Sequence, residues 1–438
     1  MFHLAFAFRL SNRSRFPSSI TPPPGAVRSA LVGFLLVAGL SFATTASAQG
    51  LAAEEARLGL FSAQERALLA PHLEHGPLAF VEFSGEAELP AVIFATTIRA
   101  PASTVVRVIS NPEGYPRFMP ALDSVNIQSR RDRNIAYEWT WQTAIFTLHG
   151  TNVMTVYPSS ERRRDRPFRV ESRATGGDLG TGRFMWRVYP QGPNRSLIVL
   201  SSRIDLRDAN YVTREIGGGR RSINRTINIA LASVMTLGTK KEAERIAGAP
   251  PIEAGEVPGL TRPDVDFVAL APMLMRGDLL LMQMQGERLD RIAVVGRPGA
   301  TVDRVYEVMS TPEEFGRALI PGSYARPTEE RPGEVDFEWG INIPLIGTSG
   351  EMTLARQPHQ VSIDATDGGL DGGQWRFVVE RLPWGEPMLI GWARFDLATA
   401  GWFVRSVIAG DAAFGNGLTT GAQLMLMRAI RSRARAPE

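Results

Sequence analysis

The stretch "ATGGDLGTGRFMWRVYP", Ala174–Pro190, decides the fold. Its core, Gly176 to Gly182, has the glycine density of a phosphate-cradling loop. Such a loop follows a strand and opens a helix, whose N-terminal amides hold the phosphate. Here the glycines lead into "RFMWRV", which alternates as a strand does, and no Lys-Ser/Thr pair follows them. The run therefore reads as a turn between adjacent strands, with glycine where the backbone needs positive φ. A twin stands 191 residues on: "ATDGGLDGGQWRFVVER", Ala365–Arg381, again glycines before an aromatic strand.

The duplication extends in both directions. Leu69–Glu86 returns as Leu270–Glu287 at an offset of 201. Val105–Tyr115 matches Val305–Phe315, and Tyr137–Trp141 matches Phe337–Ile341, both at 200. Beyond a loop that is shorter in the second half, the offset falls to 191 and "SRIDL" (Ser202–Leu206) answers to "ARFDL" (Ala393–Leu397). Chance likeness between short segments does not keep its order through two halves of a chain. The 438 residues divide into copies over 55–248 and 264–436, with a Pro- and Gly-rich linker over 249–263.

Each copy has one order of elements. "LAFVEF" and "AVIFATTIRA" form a strand pair turning at Ser84-Gly85-Glu86. Pro101 and Ser103 start a short helix, and the Asn111-Pro112 step ends it, because the residue before proline is pushed out of the helical region. Alternating strands follow, and a long helical segment closes the copy, Ser222–Ile246 in the first and Ala412–Ala434 in the second. Its apolar positions Ile223, Ile227, Ala230, Leu231 and Val234 keep helical spacing. The order predicts an α+β fold: two tandem domains, each a curved antiparallel sheet wrapped round a long C-terminal helix.

The segment "IRAPASTVVRVISNPEGYPRFMP" resembles the opening of START-like helix-grip (SRPBCC) proteins, among them the polyketide cyclase/dehydrase and coenzyme Q-binding families. Ala100-Pro101, Pro112, Tyr115-Pro116, Phe118 and Pro120 carry the resemblance. The second copy keeps Pro312 and Phe315 but reads "GRALIPG" where Pro116 and Phe118 would stand. That fold hosts carriers, cyclases, receptors and folding factors, so the resemblance speaks to fold before activity.

Period-2 alternation assigns the faces. Tyr137, Trp139 and Trp141 share one, with Asn152 and Met154, and Phe184 and Trp186, on neighbouring strands. Phe337, Trp339, Leu354, Trp375 and Phe377 are their counterparts. The opposite faces carry Glu138, Arg183 and Arg187, which suit solvent. By pattern alone, these aromatics read as core before pocket. The resemblance implies a tunnel between sheet and helix, and so makes the eleven residues Tyr137, Trp139, Asn152, Met154, Phe184, Trp186, Phe337, Trp339, Leu354, Trp375 and Phe377 candidate walls of an apolar ligand cavity. Tyr137 and Asn152 are the polar groups that would orient the ligand.

Recognisable catalytic chemistry is sparse. Cysteine is absent, which excludes disulfides and thiolate chemistry. His72 and His75 have a zinc-compatible spacing, but Met273 and Arg276 replace them in the second copy and no third ligand stands nearby. His149 and His359 stand alone, so no metal and no cofactor is expected. There is no Ser/His/Asp set, acid pair or GxSxG elbow, and no catalytic residue is assigned. Arg203 with Asp205, and Arg394 with Asp396, read as surface pairs.

The N-terminus reads as an export signal: Arg9, Arg13, Arg15 and Arg28, then the apolar run Ala30–Ala43, then Ala46-Ser47-Ala48 as a cleavage site. Residues 1–48 form the expected signal peptide, with retention as an anchor the alternative. They hold four arginines and no acid, so their removal takes the formal charge from +3 to −1, which argues against a nucleic-acid partner. Arg130, Arg131, Arg162, Arg163 and Arg164 gather in turns at one end of the first copy, and with Trp384 they suggest docking to an anionic membrane. The expectation is an exported, periplasmic carrier of a hydrophobic small molecule or lipid, without turnover. The alternative is a cyclase- or dehydratase-like enzyme acting on a bound polyketide or isoprenoid.

Overall fold

The computed structural model describes residues 63–436 apart from 84–90, 143–146, 158–166, 206–220, 254–258, 321, 342–346, 401–404 and 406–411. The leader lies outside the described residues.

The first copy begins with helix α1 (Ala63–His75), strands β1 (Leu78–Glu82) and β2 (Val92–Ile98), helix α2 (Ala102–Ile109) and a 3-10 turn (Pro112–Arg117). Val105, Val108 and Ile109 give α2 a buried stripe, and it stops at Ser110 as the Asn111-Pro112 step requires. A meander follows: β3 (Leu122–Arg131), β4 (Asn134–Gln142), β5 (Thr147–Tyr157), β6 (Phe168–Gly177), β7 (Thr181–Gly192) and β8 (Arg195–Asp205), closed by α3 (Arg221–Ile246). The second copy repeats the order with α4 (Ala271–Leu274), β9 (Gly277–Gln285), β10 (Arg288–Gly296), α5 (Val302–Met309), α6 (Pro312–Leu319), β11 (Ser323–Arg331), β12 (Glu334–Ile341), β13 (Thr348–Gln357), β14 (Gln360–Gly368), β15 (Gln374–Arg381), β16 (Pro387–Arg394) and α7 (Ala412–Arg435).

The opening glycine run is the β6–β7 hairpin. Gly177 (φ 123°) and Gly180 (φ 71°) hold the left-handed conformations that reverse the chain. Space reinforces the requirement, since a Cβ on Gly177 would sit 2.4 Å from the Cα of Gly150 on β5. The twin hairpin, β14–β15, turns on Gly368 (φ 87°) and Gly372 (φ 75°).

All sixteen strands form one antiparallel sheet, ordered β11-β12-β13-β14-β15-β16-β10-β9-β1-β2-β8-β7-β6-β5-β4-β3. The order is palindromic about the β1–β9 pair. There Leu78 faces Leu281, Ala79 faces Leu280 and Phe80 faces Leu279. By the repeat offset Leu78 corresponds to Leu279 and Phe80 to Leu281, so the pairing is its own mirror about Ala79 and Leu280. Equivalent strands meeting antiparallel make a local pseudo-twofold, the isologous geometry of a symmetric dimer. Buried apolar residues run on both faces of this join, so the two copies share a core.

The closing helices also meet. Gly417 of α7 packs on α3 so closely that a Cβ there would lie 2.6 Å from the Cα of Ala230, and one on Gly421 would lie 2.5 Å from Thr226 Cγ2. These glycines trade helix propensity for close approach of two backbones. On the opposite face of the sheet α1 lies along β2, with Thr97 Oγ1 donating to the Leu73 carbonyl at 3.0 Å.

Two surface expectations are corrected. Arg187 is only 1% exposed, and its Nη1 donates to Ser201 Oγ at 3.3 Å. The outer face of β6–β8 is itself a buried layer, with Glu171, Met185, Val199 and Ser201 beside it. Arg394 pairs with Asp290 on β10 (3.0 Å), while Asp396 accepts from the Ala398 amide at 2.7 Å as the cap of a short 3-10 turn.

Candidate functional site

A cavity of about 130 Å³ lies in the first copy between the sheet and α3, on a scale where one water takes roughly 10–15 Å³. It lies toward the end of the sheet where β3 and β7 begin and β4 and β8 end. Tyr137, Trp139 and Trp141 of β4, Asn152 of β5 and Phe184 of β7 form the sheet wall, and Leu231, Val234 and Met235 of α3 form the facing wall. The segment after α2 closes one side with Tyr115, Met119 and Pro120, and the glycine hairpin closes another with Leu179, Gly180 and Gly182. None of the lining residues among those described carries a charge.

Glycine also shapes the floor. Gly150 faces Trp139 across the strands, and a Cβ there would lie 2.1 Å from Trp139 Cζ2. The indole therefore lies flat along β5. Its Nε1 donates to Asn152 Oδ1 at 3.4 Å. Asn152 Nδ2 donates to Tyr137 Oη at 3.1 Å, and Tyr137 Oη lies 3.1 Å from Ser172 Oγ. Burial pushes the Tyr137 phenol above its ordinary pKa, against the hydrogen bonds from Ser172 and Asn152. Burial, with Tyr137 close by, does the same to Tyr115, whose hydroxyl donates to the Ile109 carbonyl. Both phenols are neutral donors across the ordinary pH range. At the rim, Trp141 Nε1 donates to the Pro120 carbonyl at 3.0 Å.

Of the candidate wall residues, the structure brings Tyr137, Trp139, Asn152 and Phe184 together on the cavity. Met154 and Trp186 sit in the core instead, 0% and 1% exposed. Each lies two residues farther along its strand, away from the end of the sheet where the cavity lies. Trp141, which alternation places on the face of Tyr137 and Trp139, also lines the cavity, and so do the α3 residues and the helix-to-strand segment from Met119 to Leu122, which face assignment within strands does not capture. The signals for them were the third aromatic of "YEWTW" and the proline-rich motif.

The second copy is built differently at the same positions. Phe337, Trp339, Leu354, Trp375 and Phe377 are all buried core. Tyr137 faces Asn152 across the strands, as Phe337 faces Met352, and Met154 faces Ser172, as Leu354 faces Ile363. The Tyr-Asn-Ser cluster is thus Phe-Met-Ile in the second copy. Phe184 and Ile204 give way to the larger Trp375 and Phe395, which stack at 5.1 Å. Trp339 keeps its indole, but Met352 offers it no oxygen, and Nε1 is buried without a partner among the described residues.

The residues suggested for membrane docking do not form one patch. Register runs from the β7–β8 turn through β2, β1, β9 and β10 to β16, and it places the β15–β16 turn at the opposite end of the sheet from the β3–β4 and β7–β8 turns. Trp384, 49% exposed, is therefore remote from Arg130 and Arg131. The antiparallel β1–β9 join, which reverses the second copy, is the cause. Arg130 pairs with Glu113 at 2.8 Å, and Arg162, Arg163 and Arg164 lie outside the described residues. Burial lowers the pKa of His72, and so does neighbouring His75. Among the described residues no group of three or more His, Asp or Glu is placed to hold a metal, and no helix is long and apolar enough to cross a membrane.

A curved antiparallel sheet gripping a long C-terminal helix round an apolar space is the START-like helix-grip fold, here in two copies. Residues 98–218, in the first copy, match the family model described as polyketide cyclase / dehydrase and lipid transport. No curated protein matches the chain. Among solved structures it is similar to the Zhui aromatase/cyclase from Streptomyces sp. R1128, at 19% identity over 35% of this chain and 93% of that one (TM-score 0.30). The di-domain ARO/CYC StfQ from the steffimycin biosynthetic pathway is 11% identical over 78% of this chain and 97% of its own (TM-score 0.27). Human STARD10 is 10% identical over 38% and 76% (TM-score 0.30).

Proposed function

We propose that the protein is an exported, periplasmic carrier that holds a neutral hydrophobic molecule in the first copy's cavity without turning it over. One observation carries this: among the described residues the cavity wall is aromatic and aliphatic with no charged side chain, and the Tyr137, Asn152 and Ser172 polar groups are hydrogen-bonded to one another. A carboxylate or phosphate would lose its hydration there and find no counter-charge, at a cost of several kcal/mol. An uncharged ring system with one acceptor oxygen would meet aromatic faces and the Tyr137 hydroxyl. Burial of its apolar surface, at about 25 cal/mol per Å², drives the binding. The basic, apolar and small-residue succession of residues 1–48 supports export. N-terminal sequencing tests that part: a start at Gln49 is expected, and a start upstream would overturn cleavage.

Solvent extraction of the purified protein followed by mass spectrometry tests the ligand. A neutral, apolar compound is expected in the extract. An empty extract, together with no uptake of neutral fluorescent hydrophobes, defeats the reading. The Tyr137–Asn152 contact favours a second reading, in which the phenol donates a proton to a bound polyketide or isoprenoid in a cyclisation or dehydration. Tyr137→Phe separates the two. A carrier loses some affinity and has no turnover to lose, whereas an enzyme keeps affinity and loses turnover by about 100-fold or more.

A further inference from the structure

We propose that Phe414, on the second copy's closing helix, is a positioning residue for the first copy's ligand, acting through Trp141. This rests on the cavity being the ligand site.

Trp141 is the last described cavity-lining residue of β4, one residue from the strand's end at Gln142. Two contacts from different parts of the chain hold its indole. Pro120, itself a lining residue, accepts from Nε1 at 3.0 Å. The Phe414 ring meets it edge-to-face, with centroids 5.9 Å apart and planes at 69°. Phe414 lies in the first turn of α7, and that turn is fastened to α3. Ser233 Oγ donates to the Ala413 carbonyl at 3.1 Å, and one turn on, Gly417 sits on the backbone of Ala230. The same stretch of α3 supplies Leu231, Val234 and Met235 to the cavity. One helix seam thus sets both the cavity's helical wall and the support behind its rim tryptophan. The second copy thus contributes to binding from outside the cavity, through its closing helix.

An edge-to-face pair contributes enough that its loss is expected to raise the dissociation constant about three- to tenfold. The test uses the full chain and N-phenyl-1-naphthylamine, a neutral aromatic fluorophore. Phe414→Ala should weaken its binding by that factor, and Phe414→Tyr should restore it. In protein labelled with 5-fluorotryptophan, the Trp141 resonance (assigned by its loss in Trp141→Phe) should move in Phe414→Ala and return in Phe414→Tyr. Arg433→Ala, on the same helix as Phe414, which removes an ion pair with Glu314 of α6, should change neither. Folded Phe414→Ala that binds within twofold of the unchanged chain, or leaves the resonance where it was, overturns the proposal. If Phe414→Ala does not fold, Phe414→Leu is read by the same two criteria. An unchanged chain that does not bind the fluorophore overturns the cavity reading and this proposal with it. Normal binding with an indifferent Phe414 overturns this proposal alone.

Discussion

Replacing Asp278 by Ala is expected to cost about 3–5 kcal/mol of folding stability, read by urea denaturation. Asp278 stands on β9 opposite Val81 of β1, at the join of the copies, and its side chain is fully buried. Arg428 donates to Oδ2 at 2.9 Å through Nε, and Arg431 donates to Oδ1. Both arginines come from α7, so one carboxylate ties the second copy's closing helix to the central strands. Removing it leaves two arginine charges in the interior with no counter-charge at that position. Gly296 makes room for the cluster, since a Cβ there would sit 2.7 Å from Arg431 Nη2. Burial alone would raise the Asp278 pKa, but Arg431 and Arg428 outweigh it and hold the carboxyl below its ordinary value. The sign of the pH effect follows. The stability it contributes is fully present above the unfolded pKa of about 3.9 and is lost as pH falls through the lower folded value. The unchanged chain should therefore show an acid-sensitive component that Asp278→Ala lacks. A variant as stable as the unchanged chain at neutral pH would show that the cluster is not a tie.

The hairpin glycines, the repeat and the element order were legible in the sequence because each is a local pattern. Gly177 and Gly368 announce a turn without reference to anything distant. The alternation of "YEWTW" fixes a face because side-chain period is a property of the strand itself. The β1–β9 join was not legible. "LAFVEF" and "LLLMQM" are apolar on both faces, which is what a central strand needs, but such a run does not name its neighbour. That one pairing reverses the second copy, and so it decides that Trp384 and Arg131 stand at opposite ends. The depth of the cavity was not legible either. Alternation gives Trp186 and Phe184 the same direction, yet only Phe184 lines the cavity. Nor could it show that Arg187, on the outward phase, would lie under cover. Repeat comparison had one more signal to give. Gly150 and Gly350 recur at the 200-residue offset opposite Trp139 and Trp339, and in both copies a cross-strand glycine lets an indole lie flat.

Giving the first copy the second copy's residues, Tyr137→Phe with Asn152→Met and Ser172→Ile, is expected to abolish ligand binding without unfolding the chain. The argument runs from the register. These three positions are the cavity's hydrogen-bonding cluster in the first copy, and Phe337, Met352 and Ile363 occupy them in the second, in a core that folds with no polar atom there. The chain thus already holds an apolar solution to the same local problem. Replacing hydrogen-bonded partners together by apolar groups avoids the penalty of stranding one of them, and it can be neutral or stabilising. Trp139 is the exception. Its Nε1 would lose Asn152 Oδ1, as Trp339 has none, at a cost of about 1–3 kcal/mol if no water reaches it. Binding suffers on two counts. The donor that would meet the ligand's oxygen is gone, and the longer Met replaces Asn152, which lines the cavity. Together these should weaken binding by about 100-fold, equivalent to roughly 2.7 kcal/mol. Fluorophore titration and thermal unfolding on one sample decide the matter. Loss of binding with the melting temperature held within a few degrees is expected. Unaltered binding would show that this cluster is not the point at which the cavity recognises its ligand.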